Sequence, residues 1–151
     1  MDQLAEAIEY INEGDISKGL VILNDLKKRK TNKESLFELA QVFAHFGFID
    51  DAKEIAERLL LDSPEETTFR IFLSECLMEL NYEDEAIDQL QQIDQHDDHY
   101  LQAQLLMADI YQSQGLEEVA EQKLLEAADH NSNEPILMYA LAEFYLAQSS
   151  S

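Results

Sequence analysis

The chain has 151 residues, 46% of them apolar and 28% charged, which suffices for one compact domain or a short repeat array and excludes disorder as its main state. Four Gly, two Pro and no Trp among many Ala, Leu, Glu and Gln favour helices over strands, because these side chains lose least on helix formation. The net charge of -22 is uneven: residues 1–70 carry nine Lys and Arg against fifteen Asp and Glu, and residues 71–151 only Lys123 against seventeen, which argues against direct nucleic-acid binding and for a basic partner.

The opening stretch, MDQLAEAIEY, lacks a basic segment followed by an apolar core, so no secretory signal is expected. No apolar run approaches the ~18 residues of a membrane span, and a cytoplasmic location without membrane partners is expected. Four short stretches then join helical patterns: EGDISKG from Glu13, FGFIDDA from Phe46, LNYEDEA from Leu80 and QGLEEVA from Gln114. Their second places hold Gly14, Gly47, Asn81 and Gly115, separated by 33, 34 and 34 positions, all residues that enter the left-handed conformation easily. Five places further on stand Gly19, Ala52, Ala86 and Ala120, small enough to let a second helix lie close against the first.

Helical apolar spacing precedes each turn, as in Leu36, Leu39, Ala40 and Phe43, in Phe69, Leu73, Cys76 and Leu77, and in Leu105, Ala108 and Tyr111. It resumes afterwards in Ile55, Leu59 and Leu60, in Ile87, Leu90 and Ile93, and in Leu124, Ala127 and Ala128. Between repeats, Ser63-Pro64-Glu65-Glu66 predicts a cap followed by a first-turn Pro, and Thr31 with Glu34 a capping box. Near the end, the stretch from Ile136 to Ala147 is apolar almost all the way around and has to be buried on more than one side. A longer array, a second subunit or an apolar ligand would each satisfy that demand.

The placing of Leu39, Ala40, Phe43, Gly47, Ala52, Leu59 and Pro64 in one unit, and of Ala108, Tyr111, Gly115, Ala120 and Ala127 in another, resembles the tetratricopeptide repeat family. Ser74, Leu77, Ala86 and Leu90 carry the pattern in the third unit, and the first is degenerate, with Glu6 and Gly19 where an apolar residue and Ala are usual. The resemblance implies an all-α fold, a right-handed superhelical solenoid of antiparallel helix pairs. The units fall at about 1–32, 33–66, 67–100 and 101–133, with an extra helix at 134–148, in a single array.

Candidate chemical sites are few. His96-Asp97-Asp98-His99 falls between units, where Asp97 or Asp98 is placed to cap the next helix, and two imidazoles without a second ligand cluster make a metal site the weaker reading. His45 and His130 stand alone, and no P-loop, G-x-S-x-G or H-E-x-x-H motif is present, so no metal, cofactor or catalytic residue is expected and the chain is read as a non-enzyme. Cys76 reads as a small buried hydrophobe more readily than as a reactive thiol. Lys27 to Lys30, with Lys33, complement a helix C-terminus, or dock an acidic surface.

The resemblance also implies a concave groove lined by the first helices. Its places hold Phe37, Glu38, Gln41, Ile71, Glu75, Met78, Glu79, Leu105, Asp109, Gln112, Tyr139 and Glu143, an apolar floor with an acidic lining. The family's clamp for acidic chaperone tails uses Lys, Arg and Asn, whereas Leu4, Ile8, Glu38, Thr68 and Phe72 stand at those places and argue against that specificity. Two functions remain open. One is a scaffold for a basic or amphipathic protein segment, of which an acidic secretion-type chaperone is a narrower form. The other is self-assembly, as a homodimer for example, through Leu141, Phe144 and Tyr145.

Overall fold

A computed structural model describes residues 2–29, 32–131 and 133–150. Among them are nine helices and no strand, in two compact units, Met1–Leu80 and Asn81–Ser151. The first unit holds α1 (Gln3–Asn12), α2 (Ile16–Arg29), α3 (Lys33–His45), α4 (Ile49–Asp62) and α5 (Thr67–Glu79). The second holds α6 (Glu83–Leu90), α7 (Tyr100–Ser113), α8 (Glu117–Asn131) and α9 (Pro135–Ser149). The third sequence repeat therefore contributes α5 to one unit and α6 to the other.

Within the first unit α1 packs on α2, α3 on α4, and α4 on α5; within the second, α7 packs on α8 and α8 on α9. The turns between paired helices follow from one residue each. Gly47 and Asn81 take φ of 88° and 65°, a region in which most side chains clash with their own backbone. After Gly47 the chain reverses so that the Phe48 amide donates to the Phe43 carbonyl at 2.8 Å, and the Leu116 amide donates to the Tyr111 carbonyl at 2.9 Å in the same way. The aromatic place before each of these two turns thus supplies the acceptor that closes it.

Small residues set how closely the helices approach. Ala7, Ala40, Ala52, Ala86 and Ala120 are fully buried, and a methyl group at Gly19 would overlap the Ile11 side chain and lie 3.0 Å from the Ala7 carbonyl oxygen. Gly19 is therefore the residue that this degenerate repeat requires. Leu23, Leu39, Phe43 and Ile55 complete the core of the first unit. In the second, Ala108, Leu124, Ala127, Leu137 and Phe144 form a cluster.

Three local expectations are corrected. Ser63 ends α4 and does not start α5, whose cap is Glu66 without a side-chain bond; Ser63 Oγ instead accepts a hydrogen bond from Lys33 Nζ at 3.3 Å. Asn32 caps α3, accepting from the Ser35 amide at 3.1 Å, while Thr31 lies outside the described residues. The second helix of the third repeat stops at Leu90, short of Ile93, and short i→i+3 turns follow it. Asp94 competes for the backbone there, its Oδ1 accepting from the His96 amide at 2.8 Å.

Candidate functional site

The helices open along three cavities whose walls include most of the predicted groove residues. In the first unit, Glu38 and Gln41 of α3 face Ile8 and Asn12 of α1 across a space of about 420 Å³ that also touches Val42, His45 and Phe46. A neighbouring space of about 460 Å³ lies between the end of α3 and α5, with Phe72, Glu75, Cys76 and Glu79 on one wall and Ala44, His45 and Ile49 on the other. Phe37 is half-buried and packs its ring 5.2 Å from Phe69 and 5.3 Å from Phe72, which holds Phe72 in place at the cavity edge.

In the second unit, Leu105, Asp109 and Gln112 of α7 and Tyr139 and Glu143 of α9 line one space of about 460 Å³ with Ile136, Ala140 and Ala147. Five residues named from the repeat frame are thereby brought together. The hydroxyl of Tyr139 donates to Glu143, and this bond, with the carboxylate charge, pushes the phenol up.

Two groove assignments change. Ile71 is 5% exposed although it lies within about 40° of Glu75 around the helix, whereas Thr68, Glu75 and Glu79 are exposed and Phe72 and Met78 half-buried. His45 was missed, yet it borders both the α1–α3 cavity and the α3–α5 cavity. Its position one turn beyond Gln41 was the available signal.

The electrostatics of the second cavity are one-sided. Burial pushes the Glu75 carboxyl up, and among the described residues neither Glu75 nor Glu79 has an ion pair. The Cys76 thiol is pushed up to about 11, first by burial and then by Glu75 and Glu79, with Lys53 opposing, so the thiolate is scarce at neutral pH.

The basic run is engaged within the unit. Lys27 Nζ lies 3.2 Å from Asp51 and 3.6 Å from Glu54, and Arg29 bonds Gln3 at 2.7 Å and Asp25 at 2.6 Å; Lys30 lies outside the described residues. In the second unit Lys123 lies 3.5 Å from Glu126, whose Oε2 also accepts from the buried Gln104 at 3.0 Å.

The residues around His96 form a turn in which His99 occupies the cap position of α7. Asp97 Oδ1 accepts from the His99 amide at 2.7 Å, so it closes the turn one residue ahead of the helix and does not cap its first turn. His130 approaches His96 with ring centroids 6.4 Å apart and Tyr100 at 5.5 Å. Among the described residues no group of three or more His, Cys, Asp or Glu is placed to hold a metal ion, and no helix is long and apolar enough to cross a membrane.

Of the predicted self-association residues, Phe144 is 4% exposed and Leu141 half-buried, both packed toward α7 and α8, because Leu137, Leu141 and Phe144 form the inward stripe of α9. Phe144 is therefore core and not surface. Tyr145 is on the open side, and its hydroxyl donates to Glu121 Oε2 at 2.7 Å.

Paired helices, left-handed turns and small residues at a fixed offset define an all-α helical-repeat solenoid. A family model described as tetratricopeptide repeat protein 21 ARM repeat matches residues 28–118, and one described as YpiA-like, tetratricopeptide repeats, matches residues 112–150. The chain belongs to the tetratricopeptide repeat family. It is 35% identical over 147 residues to the TPR repeat-containing protein YpiA of Bacillus subtilis (strain 168), covering 97% of this chain and 34% of that protein. The chain thus spans about a third of the length of the curated relative it matches. In fold it is similar to a crystal structure of MamA, with a TM-score of 0.70 and 17% identity over 99% of this chain and 86% of that one. A thermophilic TPR protein of Thermus thermophilus superposes with a TM-score of 0.67 at 23% identity, covering 97% of this chain and 81% of that one.

Proposed function

We propose that this scaffold is non-enzymatic and receives a basic or amphipathic protein segment on the open faces of its first helices. The observation that carries the reading is the cavity of Phe72, Glu75 and Glu79, where a carboxylate disfavoured by burial makes no ion pair among the described residues. A Lys or Arg side chain would lay its aliphatic stem against Ile49 and Phe72 and place its charge between the two carboxylates. Asp109 and Glu143 supply the same chemistry, over Leu105 and Tyr139, in the second unit. The apolar walls would contribute most of the affinity and the carboxylates the encounter rate.

The test compares the wild-type chain with a Glu75→Lys, Asp109→Lys double variant in affinity capture at low and high salt, followed by direct binding of the retained segment to each. Retention that salt weakens and the double variant loses supports the reading. Equal retention by both chains, or a retained segment that is neither basic nor amphipathic, rejects it.

A further inference from the structure

The cations of Met1–Leu80 divide into two groups. Lys18, Lys27, Arg29 and Lys53 each lie within 3.6 Å of a carboxylate of their own unit, and Arg70 is buried and donates to the Pro64 carbonyl. Lys28, Lys33 and Arg58 make no ion pair among the described residues, although the chain holds 32 Asp and Glu against 10 Lys and Arg. These three gather at one edge of the unit. Lys28 is in the last turn of α2, Lys33 in the first turn of α3, and Arg58 of α4 reaches toward α2, its Nη1 donating to the Lys27 carbonyl at 3.5 Å. Lys33 and Arg58 line one cavity of about 470 Å³ with Leu36 and Leu59, which are 5% and 2% exposed, and with Leu61, which is 87% exposed.

We propose that this cavity docks an acidic protein segment, with a leucine-type side chain against Leu36 and Leu61 and a carboxylate between Lys33 and Arg58. Its lining selects that occupant. The Arg58 guanidinium offers a planar pair of donors that matches the two oxygens of a carboxylate, and Lys33 adds a point charge. The leucines call for an apolar side chain beside that carboxylate, which an inorganic anion lacks. Asp62 lies on the same wall, so the lining carries two positive charges and one negative, enough for a single carboxylate and too little for a polyanion such as nucleic acid. At physiological salt the Debye length is about 8 Å, so the bound carboxylate feels these nearby charges more than the remote acids of the chain. A second copy fits less well, because its net charge of -22 is repelled over the whole surface, whereas a short segment brings only its own few charges. The edge repels a basic segment, so it is independent of the groove proposed around Glu75 and Glu79.

The probe is the acetylated and amidated peptide Asp-Glu-Leu-Glu-Asp, titrated into the full chain at physiological salt and followed by amide chemical shifts. Saturable shifts are expected around Lys33, Leu36 and Leu61. The Lys33→Glu, Arg58→Glu double variant should bind about tenfold more weakly or worse, while Lys18→Glu, Lys53→Glu, with the same change in net charge, should stay within about twofold of wild type. Asp62→Asn should bind more tightly, and Leu61→Ser, or Ser for Leu in the peptide, should weaken binding by about threefold. All of these side chains are exposed or half-buried, and circular dichroism checks that each variant folds. Shifts that fail to saturate, or that centre on Glu75 or Asp109, would overturn the proposal. An equal loss in both double variants would do so too, by showing an effect of bulk charge alone. So would a dimeric mass of wild type that Lys33→Glu, Arg58→Glu makes monomeric, which assigns the edge to a second copy.

Discussion

The two units build the same helix pair with different means. In Met1–Leu80 nine cations stand among seventeen acids, and the pair is tightened by Gly19 against Ala7 and by Lys27 bridging to Asp51 and Glu54. In Asn81–Ser151 one cation stands among fifteen acids, and the pair is tightened by the buried amide of Gln104, which ties α7 to Lys123 and Glu126 of α8. The repeat thus specifies packing distance and turn geometry, while its electrostatics vary freely around them. Each unit exposes that difference to experiment.

The largest contrast is expected in the cores. Phe43→Ala removes a fully buried ring at the closed end of a pair and should cost about 3–5 kcal/mol, whereas Phe144→Ala, on a helix with an open side that can move inward, should cost no more than about 3 kcal/mol. Chemical denaturation followed by circular dichroism separates these, and equal losses would break the comparison. At the helix contact, Gly19→Ala forces a methyl onto Ile11 and should destabilise by about 1–3 kcal/mol, while Ala120→Gly, at the same repeat place, should cost about 1 kcal/mol through lost helix propensity and packing.

Charge effects are smaller. Lys27→Met should lose less than about 1 kcal/mol, because Asp51 and Glu54 are partly exposed, and raising the salt should erase the loss. The two units should also respond to acid with opposite signs. For Glu126, burial pushes the carboxyl up, but hydrogen bonds from Gln104 and Gln122 and the Lys123 ammonium outweigh it and hold the group below its ordinary value. Its contribution is present above the unfolded-state pKa and is lost as pH falls through the folded one, so wild type should lose stability relative to Glu126→Gln on acidification. Glu75 is raised by burial, so its charged form is penalised in the fold at neutral pH and the penalty is relieved as pH falls through the raised value. Glu75→Gln should therefore be slightly more stable than wild type near pH 7 and lose that advantage in acid, read from melting temperatures across the two variants.

The comparison also shows where sequence reasoning stopped. The repeat frame placed Leu105, Asp109, Gln112, Tyr139 and Glu143 together because first-helix positions recur every 34 residues, and one cavity does contain all five. It misplaced Ile71, which shares a helix side with Glu75 and Met78 and is nonetheless 5% exposed, so only the packing of the helix reveals how wide the open stripe is. It put Phe144 on a surface for the same reason.

What the sequence determined by itself was the set of terms that are local or periodic. The helix pairs follow from apolar spacing, the turns from Gly14, Gly47, Asn81 and Gly115, and the closeness of approach from the small residue five places on, because each depends on neighbours along the chain. Only the tertiary structure decided which polar groups are buried and which carboxylates lack a cation. Arg70 proves to be 9% exposed and to donate to the Pro64 carbonyl at 2.9 Å, Gln104 to bridge two helices, and Glu75 to stand beside Phe72 without an ion pair among the described residues. Desolvation and pairing are set by atoms distant in sequence.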